Sequence, residues 1–134
     1  MDQEQIKAFF AERDRFARHN DMEVVEVSEG RAVTRMTIGP QHLNGVDMAH
    51  GGAIFTLADL AFAAASNSHN RVSVAINATI SFHKAAREGI LVAEAEEVSL
   101  HAKLSSYLIR VRDGDGDLIA TFQGMTYRKR DPLI

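Results

Sequence analysis

The chain has 134 residues, 46% of them hydrophobic, and a formal net charge of −3. That length is enough for one domain to bury its own core without covalent staples, and the acidic balance lacks the basic excess that a nucleic-acid surface demands. Cysteine is absent, which excludes disulfides, thiolate metal sites, iron–sulfur clusters and a cysteine nucleophile together.

The first residues, Met1-Asp2-Gln3-Glu4-Gln5, are polar and acidic. They lack the basic start and apolar run of a signal peptide, so the expected location is cytoplasmic. Over residues 2–19, Ile6, Phe9, Phe10, Phe16 and Ala17 recur near helical spacing, and Asp2 with Gln5 is placed like a capping box. This pattern predicts an N-terminal helix within residues 1–20. Two short β-prone runs follow, residues 22–27 and 32–38, joined by Ser28-Glu29-Gly30-Arg31; they read as a hairpin.

The stretch Gly39-Pro40-Gln41-His42-Leu43-Asn44-Gly45 carries two turn signals and leads as a loop into residues 53–67. Those residues are strong helix formers, apolar on nearly every face, and predict a buried central helix. The apolar run 53–65 is too short to cross a bilayer, which takes about 20 residues. Four β-rich runs come next, at about residues 71–83, 89–100, 104–113 and 117–128, with Asp113-Gly114-Asp115-Gly116-Asp117 as a hairpin turn by composition. The expected architecture is a single α+β domain over residues 1–134, in which one antiparallel sheet of five to six strands wraps a central helix.

Residues 53–65 contain a single charge, Asp59. An ionised carboxylate in apolar surroundings costs several kcal/mol unless something pairs with it, so Asp59 needs a reason. It could sit on the one wet stripe of the helix, or it could be a general base or nucleophile. Just before the helix stands His50-Gly51-Gly52. Backbone N–H groups are unpaired at a helix start, and glycine lets a carbonyl oxygen approach closely enough to take a bond from them. Read alone, the two glycines could equally make only a tight turn into the helix. His50 reads as a structural or orienting residue. The histidines at 19, 42, 50, 69, 83 and 101 show no paired ligand spacing, so no metal is expected. The acidic turn lacks the later glycine and glutamate of a calcium loop.

Taken together, the run from Asn44 through Gly45-Val46-Asp47-Met48-Ala49-His50-Gly51-Gly52 to Thr56-Leu57-Ala58-Asp59, followed by Asn67-Ser68, resembles the signature of the phenylacetate-degradation (PaaI-like) hotdog thioesterases. Residues 72–74 and 77–80 resemble that family's strand after the helix, and the resemblance covers roughly residues 22–128. It implies the hotdog fold, hydrolysis of an acyl-CoA thioester without a cofactor, and a homodimer, assembled further to a homotetramer, with active sites between subunits. It also implies roles. Asp59 attacks the thioester or activates water, the Gly51 N–H polarises the carbonyl, Asn44 lies near the carbonyl and the loop, and Ser73 helps to hold the attacking water; His50 is a further candidate for the catalytic set and Gly52, with Ser73, for substrate binding. Some relatives carry glycine at the position of Asp47. Lys84, Arg87, Arg128, Lys129 and Arg130 are candidates for the coenzyme A phosphates. Two other readings are an acyl-thioester hydratase or dehydratase on the same fold and a noncatalytic acyl-CoA-binding module. Asp59 in Leu57-Ala58-Asp59 favours hydrolysis over both.

Overall fold

The structure, a computed structural model, describes residues 3–134. The elements run α1 (Gln3–Arg13), α2 (Arg15–His19), β1 (Met22–Ser28), β2 (Arg31–Thr37), a 3-10 turn (Pro40–His42), α3 (Gly51–Ser66), β3 (Ser73–Phe82), β4 (Ile90–Leu100), β5 (Leu104–Asp113) and β6 (Leu118–Arg128). The six strands form one antiparallel sheet in the order β1-β2-β4-β5-β6-β3, the upper end of the expected five to six. No helix among the described residues is long and apolar enough to cross a membrane.

The N-terminal helix differs from its expectation. One apolar stripe bridges residues 6–17, yet the backbone breaks at Asp14, whose side chain accepts the Ala17 N–H at 3.0 Å and caps a second short helix. A short acidic side chain competes with the helical ladder in just this way. The capping box read at Asp2 lies outside the described residues.

α3 starts two residues earlier than expected, with His50 as its N-cap, and ends at Ser66. Ile54, Leu57, Ala58, Leu60, Ala61, Phe62, Ala64 and Ala65 are buried, while Phe55, Thr56, Asp59 and Ala63 are half-buried along one stripe. The sheet curves around this helix. Register shifts in β1, β3 and β4 mark bulges, which bend and twist strands locally. Alternate residues of β2, β4 and β5, among them Ala32, Thr34, Met36, Leu91, Ala93, Tyr107, Ile109 and Val111, turn inward onto the helix.

Two contacts set the depth of the helix. The Phe62 ring packs against Tyr107 and Phe122, and a Cβ on Gly124 would fall 2.5 Å from the same ring. Glycine at 124 is therefore what lets α3 approach β6 so closely. At the far end of the helix, Ser68 Oγ accepts the Gly30 N–H at 2.8 Å and fixes the β1–β2 turn.

β3 is different from the other strands. It pairs with β6 alone and stands at the sheet edge, with Val74 45%, Ile76 54% and Phe82 53% exposed. No inward alternation is visible because this strand has almost no core beneath it.

Candidate active site

The loop before α3 is built by its own polar groups. Asn44 Oδ1 accepts the N–H groups of Val46 at 3.0 Å and Met48 at 3.1 Å, and the Asn44 N–H donates to Met48 O at 2.8 Å. The carbonyl side of the amide is thereby used inside the loop, while its Nδ2 has no partner among the described residues and remains a donor. Asp47 sits within this turn at φ 59°, a left-handed conformation that glycine adopts without strain. His42, fully buried, ties the loop down: its Nδ1 accepts the Gly39 N–H at 2.9 Å and its Nε2 lies 2.7 Å from Asn20 O, so the geometry assigns the proton to Nε2.

At the helix start the donors are divided. His50 Nδ1 accepts the Gly52 N–H at 2.8 Å, and the N–H groups of Ala53 and Ile54 bond to His50 O. The Gly51 N–H has no partner among the described residues. The His50 imidazole thus caps the helix start, and Gly52, read as a substrate-binding residue, commits its N–H to that cap. One donor remains open at the positive end of a 16-residue helix, where the dipole favours developing negative charge. A Cβ on Gly51 would lie 3.1 Å from the Phe82 ring, so this aromatic packs against the glycine that carries the open N–H. Phe82 was not visible as a site residue from sequence; the contact joins positions far apart in the chain.

Asp59 lies two turns further along α3, half-buried. Burial raises its proton affinity above the ordinary aspartate range, and the negative charge of Asp14 raises it further. A carboxyl with these properties on an otherwise apolar helix is a base in an environment that strengthens it.

Ser73 stands elsewhere. Its N–H donates to Asn67 Oδ1 at 2.9 Å and its hydroxyl to Arg71 O at 3.3 Å, at the first residue of β3. Phe82, beside Gly51, is the last residue of the same strand, so Ser73 and Gly51 are separated within one chain by roughly 30 Å of extended backbone. The basic candidates also divide between the two ends of β3. Lys84 bonds Asp117 and Asp113 at 2.5 and 3.4 Å, and Arg128 is buried with one guanidinium nitrogen on His101 O; Arg87, Lys129 and Arg130 are exposed. Among the described residues no three acidic or histidine side chains gather as a metal site.

Residues 47–120 match the model of the family described as the thioesterase superfamily. The chain belongs to that superfamily. It is similar to the acyl-coenzyme A thioesterase PaaI of Escherichia coli K12, 34% identical over 118 residues that cover 87% of this chain and 84% of that one. A protein of Archaeoglobus fulgidus assigned provisionally as an esterase is 44% identical over 126 residues, 93% of this chain and 82% of its own. In three dimensions the chain superposes on the PaaI protein from the E. coli phenylacetic acid degradation operon with a TM-score of 0.93, 31% identity and coverage of 97% and 95% of the two chains. The fold is the hotdog fold, and the protein is a thioester hydrolase of the PaaI-like group.

Proposed function

We propose that the chain hydrolyses acyl-CoA thioesters, with Asp59 as base or nucleophile and the Gly51 N–H as oxyanion donor. The observation that supports this most directly is the division of donors at the start of α3. Three of the first four N–H groups are bonded to His50, and the one left open sits on a glycine beside which a carbonyl can lie. The E. coli relative that acts on acyl-coenzyme A supports the same class of substrate.

The chemistry then needs few parts. Asp59 removes a proton from water as its oxygen adds to the thioester carbon, and the charge that develops on the carbonyl oxygen is met by the Gly51 N–H. Collapse breaks the C–S bond and releases the carboxylic acid, while the departing sulfur takes the proton held by Asp59. The Asn44 amide is a further donor at the mouth of the loop. As nucleophile, Asp59 would instead form a mixed anhydride that water resolves.

Gly51 and Asp59 are eight residues apart on one helix, about 12 Å along the axis at 1.5 Å per residue. One carbonyl cannot touch both within a chain. We therefore infer a site shared across a two-fold dimer, with Gly51 from one copy and Asp59 from the other, and assembly of dimers to a tetramer. The unpaired, apolar edge of β3 supports a second copy pairing there. A two-fold pairing centred between Asn77 and Ala78 would set Ser73 of the second copy opposite Phe82, and so near Gly51. Arg87, Lys129 and Arg130, which form no ion pair among the described residues, are the candidates for the coenzyme A phosphates. A screen of aryl and alkyl CoA thioesters, read by release of free thiol, tests the activity; no hydrolysis across the panel would end the reading.

A further inference from the structure

Two arginines tie the start of β3 to segments far from it in the chain. Arg71 Nε donates to Lys129 O at 2.9 Å, and its Nη2 donates to Ala102 O at 3.0 Å and to Arg128 O at 3.3 Å. Arg128, only 8% exposed, donates from Nη1 to His101 O at 2.6 Å. The Arg128 N–H bonds Lys103 O and the Lys129 N–H bonds Val72 O, so residues 71–73, 101–103 and 128–130 close into one junction.

The junction carries positive charge that little on it offsets. The two guanidiniums end on adjacent carbonyls, Ala102 O and His101 O, yet among the described residues neither pairs with a carboxylate. Glu97, whose charge bears on Arg128, is already engaged by His69 Nε2 and by the Tyr107 hydroxyl, each at 2.7 Å. Lys103, Lys129, Arg130 and the acidic Asp131 are exposed on the same segments and form no ion pair among the described residues. Arg128 Nε is buried and has no hydrogen-bond partner among them. A buried donor left open beside uncompensated charge is costly, and a bound anion relieves both.

Its place in the sheet says which anion. Ser73 pairs directly with Arg128 in the β3–β6 ladder, and the two-fold pairing of β3 would set this end of the strand opposite Phe82 of the second copy, and so near that copy's Gly51. The basic groups that one chain keeps at opposite ends of β3 would then meet at one site.

We propose that this junction binds the phosphates of the coenzyme A nucleotide, with Arg71 and Lys103 as contacts and Arg128 as the buried charge behind them. The assignment rests on CoA being the thiol half of the substrate. Guanidinium suits phosphate because it presents a rigid fork of donors and keeps its charge at any working pH. Arg71 Nη1, with no partner among the described residues, remains for a phosphate oxygen.

Calorimetric binding of CoA and of pantetheine to the full chain tests this without turnover. Arg71→Gln keeps a side-chain donor for the carbonyls and removes the charge. The preference for CoA over pantetheine should fall about tenfold, the size of one hydrogen bond to a charged group. Lys103→Gln, at an exposed position, should lower the same preference about threefold and decides the matter should Arg71→Gln fold poorly. In turnover, the kcat/KM advantage of an acyl-CoA over the matching acyl-pantetheine thioester should shrink in step. A wild-type preference in both variants, or a wild-type protein that binds CoA no better than pantetheine, would overturn the proposal. A protein that hydrolyses no thioester, yet prefers CoA and loses that preference in Arg71→Gln, would keep the phosphate site and remove the hydrolysis.

Discussion

His50 and Gly52 close a small ring at the start of the central helix: the imidazole Nδ1 accepts the N–H two residues on, at 2.8 Å. The cap removes one donor from competition and leaves its neighbour, the Gly51 N–H, without a partner among the described residues. Replacing His50 with Ala should cost about 1 kcal/mol of stability, as loss of a helix cap does. It should also lower kcat more than it raises KM, since two open N–H groups would then compete for one oxygen. Thermal unfolding together with steady-state kinetics would check this; kcat unchanged in a destabilised variant would confine His50 to the fold.

Asp59→Asn should keep the fold and lower the rate of hydrolysis by about a hundredfold or more, because the base or nucleophile is lost while side-chain volume is nearly conserved. Circular dichroism and the rate on the best CoA thioester together decide it.

The same substitution should raise stability at neutral pH. The folded-state proton affinity of Asp59 is raised, mainly by burial and then by Asp14, so the folded protein binds more protons than the unfolded chain between the two pKa values. Stability therefore falls as pH rises through that window. Asp59→Asn escapes this cost, so its Tm should exceed that of wild type near pH 7, and the difference should shrink as pH falls through that window and vanish below the unfolded-state value. A Tm difference that stays constant with pH would refute the linkage.

The shared site predicts complementation. Gly51→Pro removes the open N–H at a position where proline is tolerated in a helix, and Gly51→Ala, which keeps the N–H, controls for contact with the Phe82 ring. Co-refolding Gly51→Pro with Asp59→Asn places both defects in one site of each hybrid and none in the other. Random mixing should restore about a quarter of wild-type activity. Hybrids verified by mass that are no more active than the parents would confine each site to a single chain.

Gly124→Ala should destabilise the protein by about 1–3 kcal/mol, the usual range for overpacking, because the new Cβ would lie 2.5 Å from the Phe62 ring. Adding Phe62→Leu should recover part of the loss. A double mutant as unstable as the sum of the two singles would show that the ring is not the obstacle.

Much of this was legible along the chain because it is local. The period of the apolar residues marked α3, the alternation and turn residues marked the β1–β2 and β5–β6 hairpins, and a lone charge in an apolar run singled out Asp59. The break at Asp14 escaped because Phe10 and Ala17 keep the helical stripe going across it, although the cap it forms, Asp14 to Ala17 N–H, has the spacing of a helix start. Ser73 could be tied to the site only by resemblance, since one chain holds it at the opposite end of β3 from Phe82. Phe82 on Gly51 and Phe62 on Gly124 are contacts between distant segments, and nothing in the neighbourhood of either glycine announces the ring that restricts it.

A site shared across the edge of β3 would make activity a matter of mass action. If half of each site comes from another molecule, then a dilute chain is an incomplete catalyst, and the rate per chain should fall once the concentration drops below the dissociation constant of the pair. Synthesis of more protein would then raise activity faster than in proportion, and a damaged copy could silence a site on an intact one.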